Sequence, residues 1–277
     1  MVIVACEQFV PAPRRLVDDH LAAQFLPPAA RLVTRACRFS AIRAVFMKAA
    51  EKAAPGLWGG IVCRKRYIDE RTAAALAAGA KALVILGAGL DTRACRFAVP
   101  LAVPSYEVDL PPNIEYKRAQ LLARYGRIPG HMTLVPLDLE KADLGSALAA
   151  VDFQISQRTI FIWEGVTQYL TAAAVRNTLR YLSRAGAGSS LVFTYVRKDF
   201  LDGEQLYGAE KMYNRFVRGG IWHLGLAPDA VDSLLQEYGW MEREQAGAAE
   251  FRRWYLDPAG RHLPLLEIER CVWAIKQ

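Results

Sequence analysis

The stretch Lys81-Ala-Leu-Val-Ile-Leu-Gly87-Ala-Gly89-Leu-Asp91-Thr-Arg93 restricts the fold of this chain more than any other. Ala82 to Leu86 form an unbroken apolar run, too short to cross a membrane and suited to a strand buried on both faces. Such strands belong to parallel sheets covered by helices on either side. Two glycines one residue apart follow, and a glycine turn lets backbone lie against a ligand where a Cβ would collide. About 20 residues beyond Gly89, a second strand (103–108) leads into Asp109, where nucleoside-binding α/β folds place an acid on a ribose. The expectation is a nucleoside cofactor laid over the end of the first strand.

Further along, strand, turn and helix alternate. Pro111-Pro112 opens a helix that runs to Gly126, as proline at a first helical position and glycine past the end should. A third strand (132–137) ends in Asp138-Leu139, and a short helix (143–150) leads to a fourth strand (159–163) ending in Glu164-Gly165. Thr171 caps the next helix, to about residue 185, and a fifth strand spans 190–196. This regularity predicts a doubly wound, Rossmann-like, mostly parallel α/β sheet. Before it, apolar residues at 32, 36, 39, 42, 46 and 49 predict one helix over 29–54, with Arg31, Arg35 and Arg38 on the opposite face. That stripe is either solvated charge or a docking face for an acidic partner. Residues 1–28 read as a tail or a packed irregular arm. A second, alanine-rich helix follows Cys63-Arg64-Lys65-Arg66 and closes at Gly79.

After the fifth strand the pattern changes. Two helical segments, 203–218 and 228–238, are separated by Gly219-Gly220 and read as a lid over the strand ends. Strands near 241–245 and 269–275 are expected to close the sheet as an antiparallel hairpin, giving an antiparallel C-terminal edge strand. The organisation expected is one domain: an N-terminal helical cap (1–78), a cofactor-binding core (79–198), the lid (199–240) and closing strands (241–277).

Composition narrows the function classes. With 277 residues, 53% of them hydrophobic, the chain can bury a full-sized core. No apolar run reaches the roughly 18 residues of a membrane helix. The apolar start lacks a leading basic region and reads as something other than a signal peptide. Five scattered cysteines without a C-x-x-C pair suggest reduced thiols in a cytoplasm and no metal site. The net charge of +7 is spread among 28 acids without a basic tract, which favours an anionic small molecule or acidic carrier domain over nucleic acid.

Four acids, Asp91, Asp109, Asp138 and Glu164, fall at successive strand ends. A pyrophosphate wants helix N-terminal amides and no nearby anions, so a dinucleotide suits this arrangement poorly. Thr92 also stands where the dehydrogenase fingerprint wants a third glycine. S-adenosylmethionine, which has no phosphate and carries a sulfonium, an ammonium and ribose hydroxyls, suits it better. Arg64 could take its carboxylate in bidentate fashion.

The blocks Val84-Ile-Leu-Gly-Ala-Gly-Leu-Asp-Thr-Arg93, Glu107-Val-Asp-Leu-Pro111, Pro136-Leu-Asp-Leu139 and Phe161-Ile-Trp-Glu-Gly-Val-Thr-Gln-Tyr-Leu-Thr171 resemble the leucine carboxyl methyltransferase family. The resemblance is closest to its bacterial branch of O-methyltransferases associated with polyketide biosynthesis. It implies S-adenosylmethionine contacts at Gly87, Ala88 and Gly89, at Asp109 on the ribose, and at Asp138-Leu139 on the adenine. It also implies Glu164 near the methionine amine, Arg64 on its carboxylate, and Tyr169 beside the transferring methyl. The function it implies is O-methylation of a carboxylate or hydroxyl on a small molecule, free or held on a carrier protein, by a monomer or homodimer without nucleic acid or membrane partners. A carboxylate arrives ionised; a phenol or alcohol needs a base. His223, in Gly220-Ile-Trp-His-Leu-Gly225, is the candidate, with His20, His131 and His262 behind it. A cofactor-binding scaffold without transfer, and a nicotinamide oxidoreductase, remain as alternatives.

Overall fold

The computed structural model describes the whole chain, Met1 to Gln277. Strands β1 (Ala82–Leu86), β2 (Ser105–Asp109), β3 (Met132–Pro136), β4 (Thr159–Trp163), β5 (Ser190–Val196), β6 (Trp240–Ala246) and β7 (Glu269–Lys276) form one sheet in the order β3-β2-β1-β4-β5-β7-β6. The first five pair in parallel, and β7 runs antiparallel between β5 and β6. The antiparallel strand thus lies at the expected end of the sheet, one place in from the rim. Strand order reverses at β1, with β2 and β3 on one side and β4 and β5 on the other. The crevice outside the carboxyl ends of β1 and β4 is therefore the natural ligand position.

The helices are α1 (Val2–Glu7), α2 (Pro28–Ala36), α3 (Ser40–Ala53), α4 (Leu57–Ala77), α5 (Pro111–Tyr125), α6 (Leu144–Ala149), α7 (Ala172–Leu182), α8 (Lys198–Leu201), α9 (Glu210–Met212), α10 (Val231–Gln236) and α11 (Ala248–Phe251). Alternate residues of each strand feed opposite layers. Leu83, Ile85, Ile160 and Ile162 pack with Val62, Ile68 and Leu121 on one face. Val84, Leu86, Phe161 and Trp163 pack with Leu148, Leu179 and Leu235 on the other. Local signals act as expected at several ends. Pro111 starts α5, Gly126 ends it at φ +70°, and the Thr171 hydroxyl caps α7 by accepting from the Ala174 amide.

Several expectations are corrected. The helix over 29–54 is two helices, because the chain pivots at Cys37–Phe39. Cys37 is buried, and its carbonyl accepts from the Arg43 guanidinium (2.9 Å), so the broken end is satisfied without continuing the helix. The apolar face also fails to become core: Leu32, Phe39 and Ile42 are exposed, and α3 buries no residue. Arg31 leaves the basic stripe to bind the Leu26 carbonyl and Gln120 of α5. The second helix begins at Leu57, so the three cations lie within it and not ahead of it.

At the other end, the 228–238 segment belongs to the sheet layer. Val231 and Leu235 of α10 are fully buried in the same core as Trp240. Residues 247–268 separate β6 from β7, which makes their pairing far from a tight hairpin. This loop presses on the start of α4: a Cβ at Gly59 would meet the Pro264 carbonyl oxygen at 2.2 Å. Residues 1–28 are the packed arm of the two readings, with Val4, Leu16, Leu21 and Phe25 buried.

Candidate active site

Each chemical group in the crevice is placed by a strand end. Gly87 (φ +71°) ends β1, and its amide and that of Ala88 both donate to the Val108 carbonyl (2.8 and 3.0 Å). A Cβ on Gly87 would meet Val166 Cγ2 at 2.2 Å, so this glycine is required by the loop after β4. Gly89 (φ +47°) differs: a Cβ there would meet only Asp109 Oδ2, at 3.9 Å. Its amide donates to that oxygen (2.5 Å), while Asp109 Oδ1 accepts from the Leu110 amide and the Asn113 side chain (both 2.7 Å). An ionised carboxylate offers about four acceptor directions, so roughly one remains, on Oδ2. Asp138 and Leu139, half-buried past β3, follow Leu137, whose amide donates to the Asp109 carbonyl (2.7 Å).

Glu164 is almost enclosed, and cations surround it. It accepts from Arg64 Nε (2.8 Å), Lys65 Nζ (3.0 Å) and Arg93 Nη1 (2.6 Å). Arg64 reaches on to Glu269 (2.5 Å), and Arg93, wholly buried, also binds Asp91 (2.5 Å) and Asp69 (2.6 Å). Burial alone would raise the Glu164 and Asp91 pKa values. The neighbouring cations outweigh it, holding Glu164 well below the usual carboxylate range and Asp91 at about 2. Burial likewise works against the charge of Arg64, and Glu269 with Glu164 reverses it, raising its pKa. Beneath this network Lys117 pairs with Glu107, both fully buried, and donates to the Asp91 carbonyl (2.5 Å).

The structure therefore brings Arg64 and Glu164 into contact and sets Asp109 on the Gly89 amide. Sequence reasoning missed Lys65, Arg93 and Glu269. Arg93 stood two residues after Asp91 in a block already singled out, a local signal that could have found it. Glu269 lies 205 positions from Arg64 and carried none.

A cavity of about 640 Å³ opens from Arg64 and Gly165 toward α9, within the range of small-molecule sites. Tyr169 is on its wall, in edge contact with Trp222 (6.3 Å, 88°), which stacks on Phe216 (4.8 Å). His223 is exposed; its backbone amide donates to the Gln168 carbonyl (2.7 Å), but its side chain is not part of the wall. A larger hollow of about 840 Å³ runs along α6 and α7. Leu139 borders it, but of the two cavities Arg64 and Gly165, which flank the Glu164 network, line only the smaller.

This sheet order with an acid-lined crevice defines the methyltransferase class of α/β fold. A crystal structure titled a "putative methyltransferase" from Thermobifida fusca superposes with a TM-score of 0.62 at 18% identity, covering 93% of both chains. The leucine carboxyl methyltransferase family model matches residues 1–183, and the chain belongs to that family. A Frankia alni protein named "putative S-adenosyl-L-methionine-dependent methyltransferase" is 33% identical over 205 residues, 73% of this chain and 69% of its own. A Saccharopolyspora erythraea protein of the same name is 33% identical over 196 residues, 69% of this chain and 67% of its own. The stretch from α8 onward, with the outer cavity wall and Glu269, lies beyond the family match.

Proposed function

We propose that this chain is an S-adenosylmethionine-dependent O-methyltransferase acting on a carboxylate or hydroxyl of a small molecule, free or carrier-bound. The observation that carries the reading is the pairing of Asp109 with Gly89. A carboxylate is held at the end of β2 with one acceptor direction left, beside half-buried backbone that is open on its Cβ side. That acceptor fits a donating ribose hydroxyl and would repel a pyrophosphate. When bound, S-adenosylmethionine supplies an electrophilic methyl group on sulfur, and the protein's share is alignment and exclusion of water.

In this reading Asp109 holds the ribose and Asp138 with Leu139 flank the adenine. Gly87, Ala88 and Gly89 shape the floor. Arg64 and Glu164, fixed by mutual contact, present charge to the carboxylate and amine of the methionine end. Tyr169 and the Trp222–Phe216 stack wall the acceptor side and keep it dry. A carboxylate acceptor needs no base here. For a hydroxyl acceptor Tyr169, which lines the cavity, would hydrogen-bond the oxygen, whereas His223 would have to turn inward from the surface.

Calorimetry with S-adenosylhomocysteine tests the reading: micromolar binding is expected, and no heat at high micromolar ligand overturns it. Asp109→Ala is expected to weaken that binding at least tenfold, in line with about 1.5–3 kcal/mol for a hydrogen bond to a charged group. Binding without transfer of labelled methyl to any cell-extract fraction would instead support a cofactor-binding scaffold.

A further inference from the structure

The cavity wall carries a polar group that nothing in the protein uses. Gln168 is 5% exposed and lines the cavity, yet its side-chain oxygen has no hydrogen-bond partner. Buried amides are nearly always paired, so an orphan on a cavity-lining side chain marks a place where a ligand group can complete it. Its position is fixed from both sides. The Gln168 carbonyl accepts from the His223 amide (2.7 Å), and the preceding Thr167 hydroxyl donates to the Thr194 carbonyl (2.7 Å). The indole N–H of neighbouring Trp222 is also buried without a partner.

The cavity mouth carries charge of one sign. Lys211 and Arg215, about one helical turn apart, are exposed on its rim. Neither pairs with an acid: Lys211 reaches only the Lys52 carbonyl (3.4 Å), and Arg215 lies over the Phe216 ring. Between mouth and floor the wall is apolar, with Leu57, Ile61, Leu266 and Ile268. At the floor, Arg64 is already bonded to two carboxylates. An anionic group on the acceptor therefore finds cations without an acid partner at the mouth, since Arg64 at the floor is shared by two carboxylates and, in the methyl-transfer reading, faces the methionine carboxylate.

We infer that the methyl acceptor is an apolar-bodied acid, with an anionic group held at Lys211 and Arg215 and a second polar group, nearer the reacting end, hydrogen-bonded by Gln168. This deepens the methyl-transfer reading and rests on it for the direction of the acceptor. Gln168 acts as a specificity residue, since a site built to bond a polar group rejects the analogue lacking it.

The test uses three probes: 4′-hydroxybiphenyl-4-carboxylate, biphenyl-4-carboxylate without the hydroxyl, and biphenyl-4-ol without the anion. Each is titrated by calorimetry into the full chain, with and without saturating S-adenosylhomocysteine. In the unaltered protein, loss of either group is expected to weaken binding at least fivefold. Lys211→Ala with Arg215→Ala should abolish the carboxylate effect and its salt dependence while leaving the hydroxyl effect. Gln168→Leu, or Gln168→Met should the leucine variant misfold, should do the reverse, with S-adenosylhomocysteine affinity unchanged in both. Probes that bind within twofold of one another, that do not bind at millimolar concentration, or whose preferences survive the substitutions overturn the inference. Absence of heat with S-adenosylhomocysteine itself overturns the methyl-transfer reading instead, and the probe titrations without it still report on the cavity.

Discussion

On the two sides of Gly165 the protein treats polar atoms in opposite ways. Toward the strand ends, Glu164, Asp91, Arg64, Lys65 and Arg93 are largely buried and paired with one another, so the protein itself fixes the position of this charge. Toward α9, Gln168 and Trp222 have buried atoms without partners, and Lys211 and Arg215 meet a carbonyl and a ring rather than acids. The saturated side holds its geometry before any ligand arrives, which a cofactor of constant shape can exploit. The unsaturated side waits for its partner, as an acceptor site must if it is to discriminate.

The contrast implies effects of graded size. Arg93→Met is expected to be the most damaging, costing about 3–5 kcal/mol in denaturant unfolding, because Asp91, Glu164 and Asp69 lose a shared, wholly buried partner. A loss below about 1 kcal/mol would mean that the network is not an integral unit. Acid comes next. The Asp91 pKa lies below its unfolded value, so its stabilising contribution is complete above about pH 4 and disappears as pH falls toward about 2. Unfolding free energy should drop by about 2 kcal/mol through this residue across that window, and Asp91→Asn should flatten the profile. Smallest is the effect at the open side: Lys211→Ala should shift unfolding by no more than about 0.5 kcal/mol. A larger change there would show that the rim cations already have a structural task.

Much of the fold was legible because its signals are local. An apolar pentapeptide can only be a short buried element, Pro111 and Gly126 bracket a helix through their backbone limits, and Thr171 caps by a contact three residues away. The strand-end acids were legible for the same reason: each is adjacent to a strand and a turn. The single helix over 29–54 failed because a 3.6-residue period shows that a face is apolar and not that anything covers it. Leu32 and Ile42 keep that period on an exposed face. His223 drew notice for its side chain, while the structure uses its backbone to hold Gln168.

What the sequence determined by itself was the sheet with its helical layers and the place of the acids, since strand, turn and cap signals act over a few residues. Which acids would be neutralised, which amide would stay unpaired and where a cavity would open were decided only by tertiary structure. Those properties depend on groups such as Arg64 and Glu269, which meet only after the whole sheet has assembled, and charge and burial act through space.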